Sequence, residues 1–218
     1  MIVLGLEGAL GSFSAAVGQD GRVLASRDLA GNVALEAGLG ALAATMRDAG
    51  VPHGRPDRIA VGIGPGGFTG LRITIAYAKA LAQAWERPLV AISSFDLLEY
   101  GGSLDRVLTV VRGRTGVISA RWRDASGSVR ASGYIADALA ELSPHMPPGE
   151  LPVLGAPEDV RAALAEAGYI VNPLLPVHTP PAAALALAGA STPPAASAHE
   201  VRADYGELPA AKVPRFLQ

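Results

Sequence analysis

Residues 62–72 read Gly-Ile-Gly-Pro-Gly-Gly-Phe-Thr-Gly-Leu-Arg. The apolar run Arg58-Ile-Ala-Val-Gly-Ile63 leads into them, and a long helical stretch from Thr69 to Trp85 follows, with Pro88 just beyond its end. A buried strand that passes through a glycine turn straight into a helix belongs to a sheet covered by helices. Glycine lets the backbone come close to a ligand or a packed neighbour. The free N–H groups of a helix start make such a turn a ready anion site. A phosphate P-loop is excluded, because no Gly-Lys-Ser/Thr closes the turn. A dinucleotide fingerprint is matched in form by Gly62, Gly64 and Gly67, with Asp96 as the ribose acid. Against it, Pro65 stiffens the turn and three antiparallel strands come before it.

Those strands are Ile2 to Leu6, Phe13 to Val17 and Arg22 to Ser26, joined by turns at Gly8–Ser12 and Gln19–Gly21. They predict an antiparallel meander. Asn32 is placed to cap a helix over 33–49. Its apolar residues Leu35, Leu39, Leu42 and Met46 fall on one stripe, and Gly50 ends it. Leu89 to Ile92 is apolar throughout, as in a strand covered on both faces. The order β-β-β-α-β-α-β is not that of a doubly wound fold and matches the ribonuclease-H-like order. After Gly101-Gly102 a weaker echo begins. Strands are expected at 107–111, 117–122, 128–134, 151–154 and 169–171, and helices at 136–142, 158–167 and 182–188. A Pro/Ala/Ser surface loop is expected at 192–198. The division falls near residue 100. It gives a first lobe over 1–100, and a second, shorter lobe over 101–218 with a loop-rich C-terminal tail.

Hydrophobic residues make up 50% of the 218 and charged residues 17%, which excludes disorder for most of the chain. Aromatics are only 5%, so Ala, Leu, Val and Ile must fill the core. A net charge of −2 argues against tight, independent nucleic-acid binding. The absence of cysteine excludes disulfides, zinc–thiolate sites, iron–sulfur clusters and a thiol nucleophile. His53, His145, His178 and His199 are dispersed without metal-ligand spacing. Ser12, Ser14, Ser93 and Ser94 sit in no nucleophile elbow. The start of the chain lacks the basic region of a signal peptide, and no stretch reaches the roughly 18 apolar residues of a membrane span. The expectation is a cytoplasmic protein with no membrane contact.

Gly64-Pro-Gly-Gly-Phe-Thr-Gly-Leu-Arg72, followed by a helix ending Ala78-Lys-Ala-Leu-Ala82, resembles the signature of the TsaB (YeaZ) family. That family's usual text is Gly-Pro-Gly-Ser-Phe-Thr-Gly-Leu-Arg, with a helix ending Ala-Lys-Gly-Leu-Ala. Here Gly67 stands for the serine and Ala80 for the second glycine. Ala49-Gly50-Val51, Pro88-Leu-Val near Ser93-Ser94, and Tyr205 with Pro209-Ala-Ala-Lys212 agree with it. The resemblance implies an α/β protein of two ribonuclease-H-like lobes of the actin/Hsp70/sugar-kinase type, the second lobe reduced. It implies a non-catalytic partner of a TsaD-like catalytic subunit. Together with a TsaE-like ATPase, the two install threonylcarbamoyl on the adenosine beside the anticodon, adenosine 37, of ANN-decoding tRNAs. The tRNA is met through the complex, and a homodimer through a similar surface is possible.

The chain departs from the family where chemistry would sit. An ATPase of this fold needs a carboxylate after the first strand, and the family usually reads Asp-Thr-Ala or Asp-Thr-Ser there. Here the text is Glu7-Gly8-Ala9, a vestigial nucleotide site with a longer acid and no hydroxyl. Arg112-Gly113-Arg114 stands where the family often has Asp-Ala-Arg, and Gly31-Asn32 where it has Arg-x-His-Ser. No catalytic residue, no metal and no cofactor is expected, with weak or no Mg-ATP binding. Helix 69–85 is apolar or small on nearly every face and so needs cover on several sides. This makes Leu35, Leu39, Leu42, Met46, Ile73, Tyr77, Ala80 and Ala84 the expected partner or dimer interface, against the plainer reading of two core helices. Arg112, Arg114, Arg121, Arg123 and Arg130 make the second meander basic. The plain reading is a solvated hairpin face, the sharper one a tRNA-backbone contact. The rival functions are a nucleotide-dependent phosphotransferase holding Mg²⁺ on Glu7, and, further off, a dinucleotide-binding module.

Overall fold

The computed structural model describes residues 1–29, 34–102 and 104–206. The sequence features Gly31-Asn32 and Pro209–Lys212, and the side chain of Leu35, lie outside the described residues.

Strands β1 (Ile2–Glu7), β2 (Phe13–Gln19) and β3 (Arg22–Leu29) form the meander. Helix α1 (Ala34–Asp48), β4 (Arg58–Gly62), α2 (Phe68–Trp85) and β5 (Leu89–Ile92) follow. The sheet order is β3-β2-β1-β4-β5, with β1 antiparallel to β2 and parallel to β4. A short helix, α3 (Ser94–Glu99), then leads to a second set. This is β6 (Val107–Arg112), β7 (Val117–Asp124), β8 (Gly127–Tyr134), α4 (Ile135–Leu142), β9 (Glu150–Leu154), α5 (Glu158–Glu166), β10 (Ile170–Leu175) and α6 (Pro181–Ala188). Its order, β8-β7-β6-β9-β10, repeats that of the first sheet strand for strand. The ribonuclease-H-like order read from the first half therefore occurs twice.

Each sheet buries a face against two helices. Leu4, Leu6, Phe13 and Val61 meet Leu42, Met46, Leu71, Ile75 and Ala78 of α1 and α2. Leu108, Val110, Ile118 and Trp122 meet Leu139 and Leu142 of α4 and Val160 and Leu164 of α5. The other face of the first sheet is covered by α6, which the boundary near residue 100 grouped with the second lobe. A Cβ added to Gly5 of β1 would stand 2.6 Å from the Ala182 carbonyl oxygen, and one on Gly18 of β2 3.0 Å from that of Ala186. The alanines of α6 and the glycines of the strands thus let backbone pack on backbone.

Helix α3, not foreseen from the sequence, lies between the sheets. Its Leu97 packs with Val3, Ala60 and Leu185, while Phe95 and Leu98 pack with Val107, Val111 and Leu154 of the second sheet. Ser93 caps it by accepting a hydrogen bond from Asp96 N. Ser-x-x-Asp before an apolar run is a start signal legible in the chain.

Candidate functional site

Glu7 ends β1 and is 1% exposed. Its Oε1 accepts a hydrogen bond from Ala9 N at 2.9 Å, and its Oε2 one from Leu10 N at 3.1 Å. Burial pushes the carboxyl up to about 7, against these amides, which favour the charged form. Gly62 is open to this side chain because it has none of its own: a Cβ there would come within 2.8 Å of Oε1. Both oxygens are therefore directed into the chain's own turn.

The glycine turn is similarly engaged. Gly67 N donates to Ala9 O, Asp204 N to Ile63 O and Ser94 N to Gly64 O, each at 2.7 Å. A Cβ on Gly64 would strike the carbonyl of Asp204, and one on Gly70 that of Gly8. Gly8 in turn sits against Thr74 Oγ1 and Gly70 O, so the threonine usual in the family has no room there. The segment Gly64, Pro65, Gly66, Gly67 is a junction of four chain segments. Thr69 and Arg72 of the signature are exposed, Leu71 is core, and Phe68 is 56% exposed.

A cleft of about 660 Å³ opens between the lobes beside this turn, lined by Leu10, Gly67, Leu98, Val111, Arg112 and Gly155 among others. Among the described residues no carboxylate lines it, and Arg112 is ion-paired with Asp159. Among the described residues no three His, Asp or Glu side chains come together as a metal-binding group. These groups do not fit a magnesium–phosphate pair, which needs free carboxylate oxygens.

The interface residues read from the sequence separate. Leu42 and Met46 are core, 3% and 1% exposed, which corrects their assignment to a partner surface. Ile73 and Tyr77 are half-buried, with the Tyr77 ring edge-on to Phe13 at 6.2 Å. Leu39, at 52%, Ala80 and Ala84 are exposed. Ala80 and Ala84, with Thr69, Arg72, Ala76 and Gln83, leave an outer face of α2 uncovered.

The basic meander is only in part the solvated hairpin face expected for it: Arg114 and Arg130 are exposed and Arg112 and Arg123 half-buried, but Arg121 is not. Arg121 is 6% exposed. It pairs with Asp96 at 2.7 Å and Glu99 at 2.9 Å, both on α3. Arg123 also pairs with Glu99, and Arg130 with Asp204. Arg121 and Arg130 both lie 5.0 Å from the centre of the Phe95 ring. All four histidines are exposed. No helix among the described residues is long and apolar enough to cross a membrane.

Two equivalent mixed sheets facing each other across α3 define a two-lobed α/β protein of the actin/Hsp70/sugar-kinase type. Two Pseudomonas aeruginosa structures share this fold. One is an uncharacterized protein with similarity to peptidase YeaZ, with a TM-score of 0.71 at 21% identity over 94% of this chain and 99% of that one. The other is YeaZ itself, with a TM-score of 0.67 at the same identity and coverage. A family model described as "TsaD: tRNA N6-adenosine threonylcarbamoyltransferase" matches residues 34–193. The chain belongs to this family, and its fold is that of YeaZ (TsaB). A tRNA N6-adenosine threonylcarbamoyltransferase of Syntrophobacter fumaroxidans is 35% identical over 113 residues, 44% of this chain and 33% of that protein. An uncharacterized protein of Mycobacterium tuberculosis is 32% identical over 115 residues, 53% of this chain and 52% of that protein. The chain spans between a third and about half the length of these curated relatives.

Proposed function

We propose that the chain is a non-catalytic partner subunit of a TsaD-like enzyme in the threonylcarbamoylation of adenosine 37 of ANN-decoding tRNAs. A TsaE-like ATPase joins the assembly, and tRNA is met within it. The observation that carries this reading is the state of Glu7: the acid that would hold metal is buried and bonded through both oxygens to its own turn. The cleft beside it is lined by no carboxylate among the described residues, and Arg112 on its wall is paired with Asp159. Mg-ATP binding by this chain is accordingly weak or absent. The uncovered outer face of α2, with Leu39 of α1 beside it, is the surface offered to the partner, or to a second copy of the chain.

The test is a titration of the full chain with its cognate TsaD-like subunit. Leu39→Glu and Ala80→Glu place a charge on exposed positions and should weaken association at least tenfold while circular dichroism stays unchanged. Absence of binding by the parent chain sinks the proposal, and normal binding by both variants removes the surface. The rival phosphotransferase gains only from the interlobe cleft. Calorimetric binding of Mg-ATP in the micromolar range, lost in Glu7→Gln, would establish it instead.

A further inference from the structure

Three aromatic side chains among the described residues are strongly exposed: Phe68 at 56%, Tyr134 at 59% and Tyr205 at 39%. Residues next to them in the chain line one groove: Gly133 beside Tyr134, and Asp204 and Gly206 on either side of Tyr205, whose ring meets that of Phe68. This groove, of about 530 Å³, is lined by Pro65, Phe95, Arg130, Ser132, Glu141 and Asp204 among others. Pro65 precedes Phe68 by three residues, Gly133 and Gly206 also line the groove, and each of these glycines adjoins a tyrosine. Gly206 is held there by close approach to Ser119 and to Pro65, whose Cβ would be 3.1 Å from an added Cβ. The size lies within the range of small-ligand sites, roughly 300–1,000 Å³.

The rings come with cations. Phe68 and Tyr205 pair at 5.0 Å between centroids, and the Arg72 guanidinium lies 5.1 Å from the Phe68 ring centre. Arg114 lies 5.5 Å from that of Tyr134. On the opposite border, the alternation of β8 puts Arg130, Ser132 and Tyr134 on one face, while Ala131 packs in the core. The floor is polar: Arg130 with Asp204, Ser132 donating to Ser119 Oγ, and the Glu141 carboxylate. A protein anchor would favour an apolar, dry pocket. Flat rings with arginine beside them, over donors and a carboxylate that can read the edge of a base, suit an unpaired nucleotide.

We propose that this groove binds a single-stranded nucleotide, its base stacked on Tyr134 or on the Phe68–Tyr205 pair. This makes the chain itself a contact for the unpaired RNA of the assembly. The proposal rests on the tRNA reading above for the source of the strand, but not for its chemistry. Because Arg130 is already paired with Asp204, stacking rather than phosphate neutralisation supplies the affinity. The net charge of −2 is no obstacle to that.

The experiment measures anisotropy of a labelled twelve-uridine RNA with the full chain, followed by 254 nm crosslinking and peptide mapping. Loss of one stacking ring is worth about 1–3 kcal/mol per base, so Tyr134→Ala and Phe68→Ala should each weaken binding about tenfold. Both positions are exposed, and unchanged circular dichroism excludes misfolding. Crosslinks should map to the peptides carrying Tyr134 or Phe68 and Tyr205. Uridine monophosphate is the second probe. If it binds as tightly as the strand, the base site stands and its ligand is the free nucleotide. No binding of either probe, or equal binding by both variants, overturns the proposal. So does loss of the TsaD-like subunit, but not of RNA, in these variants, which would make the groove a protein surface. RNA binding is read without any partner and partner binding through Leu39 and Ala80, so the two readings fail separately.

Discussion

Each oxygen of Glu7 accepts from a backbone amide two or three residues ahead, and the carboxyl is buried, so both oxygens point into the chain's own turn and away from solvent. The cost of this arrangement is electrostatic. Its carboxyl titrates near 7 when folded against 4.5 in the open chain, so the folded state binds the proton more tightly. The contribution of this proton to stability is full below the unfolded value, falls as pH rises from 4.5 to 7, and is gone above 7. A shift of that size corresponds to something on the order of 3 kcal/mol. Urea unfolding at pH 5 and pH 8 should show the parent chain losing stability across the interval. Glu7→Gln should show a flatter profile, starting lower because its amide group meets a backbone N–H. Equal slopes for the two proteins would refute the assignment. The sequence announced Glu7 as a departure from Asp-Thr, but not its inward turn. That turn depends on Gly62, whose missing side chain makes the room.

At the scale of elements, glycines that look alike in the sequence do opposite things. Gly40 of α1 has open space around it, whereas Gly70, in the first turn of α2, lies against the backbone of Gly8. Gly40→Ala should stabilise the chain by roughly 0.5–1 kcal/mol, through helix propensity and a less mobile unfolded state. Gly70→Ala gains the same propensity but must push two backbones apart. It should be destabilised by about 1–3 kcal/mol net of that gain. Thermal denaturation of the pair checks the contrast, and the same sign for both would contradict it. Helix period was legible, and α1 and α2 fall within a residue or so of their expected bounds. What period cannot give is how far along the axis the cover extends. Leu39 and Met46, seven residues apart, share one angular position on the helix, yet one is 52% exposed and the other 1%. The placement of α6 was hidden for a related reason. Alanine on every side has no preferred face, and only the strand glycines Gly5 and Gly18 marked where it lands.

For the whole molecule the question is what holds two similar lobes together, and the centre of the answer is ionic. The side chains of Arg121 and Glu99 are 8% and 9% exposed, and they join β7 of one lobe to α3 beneath the other. Glu99 also accepts from Thr109 Oγ1 and pairs with Arg123, so its charge is well compensated. Asp96, at 55%, adds little, because an exposed pair is screened. None of these residues was legible as a unit. They are spread over residues 96 to 123 without period, and an arginine-rich hairpin on a slightly acidic chain reads first as a solvated face. Removing one member of a buried pair strands the other. Arg121→Ala should therefore cost about 3 kcal/mol, the lower end of the range because Arg123 remains. Replacing both partners, Arg121→Met with Glu99→Gln, should recover much of the loss, since a buried pair is worth little over neutral side chains of similar size. The clasp also predicts how the protein comes apart. Calorimetry of the parent chain should give one transition with equal calorimetric and van't Hoff enthalpies. In Arg121→Ala the lobes share less, and the first to melt is no longer bound to take the other with it. A broadened or split transition in that variant, partly restored by the double replacement, is the expected pattern. A single sharp transition in Arg121→Ala at the parent temperature would mean that the apolar packing of α3, and not its charges, couples the lobes.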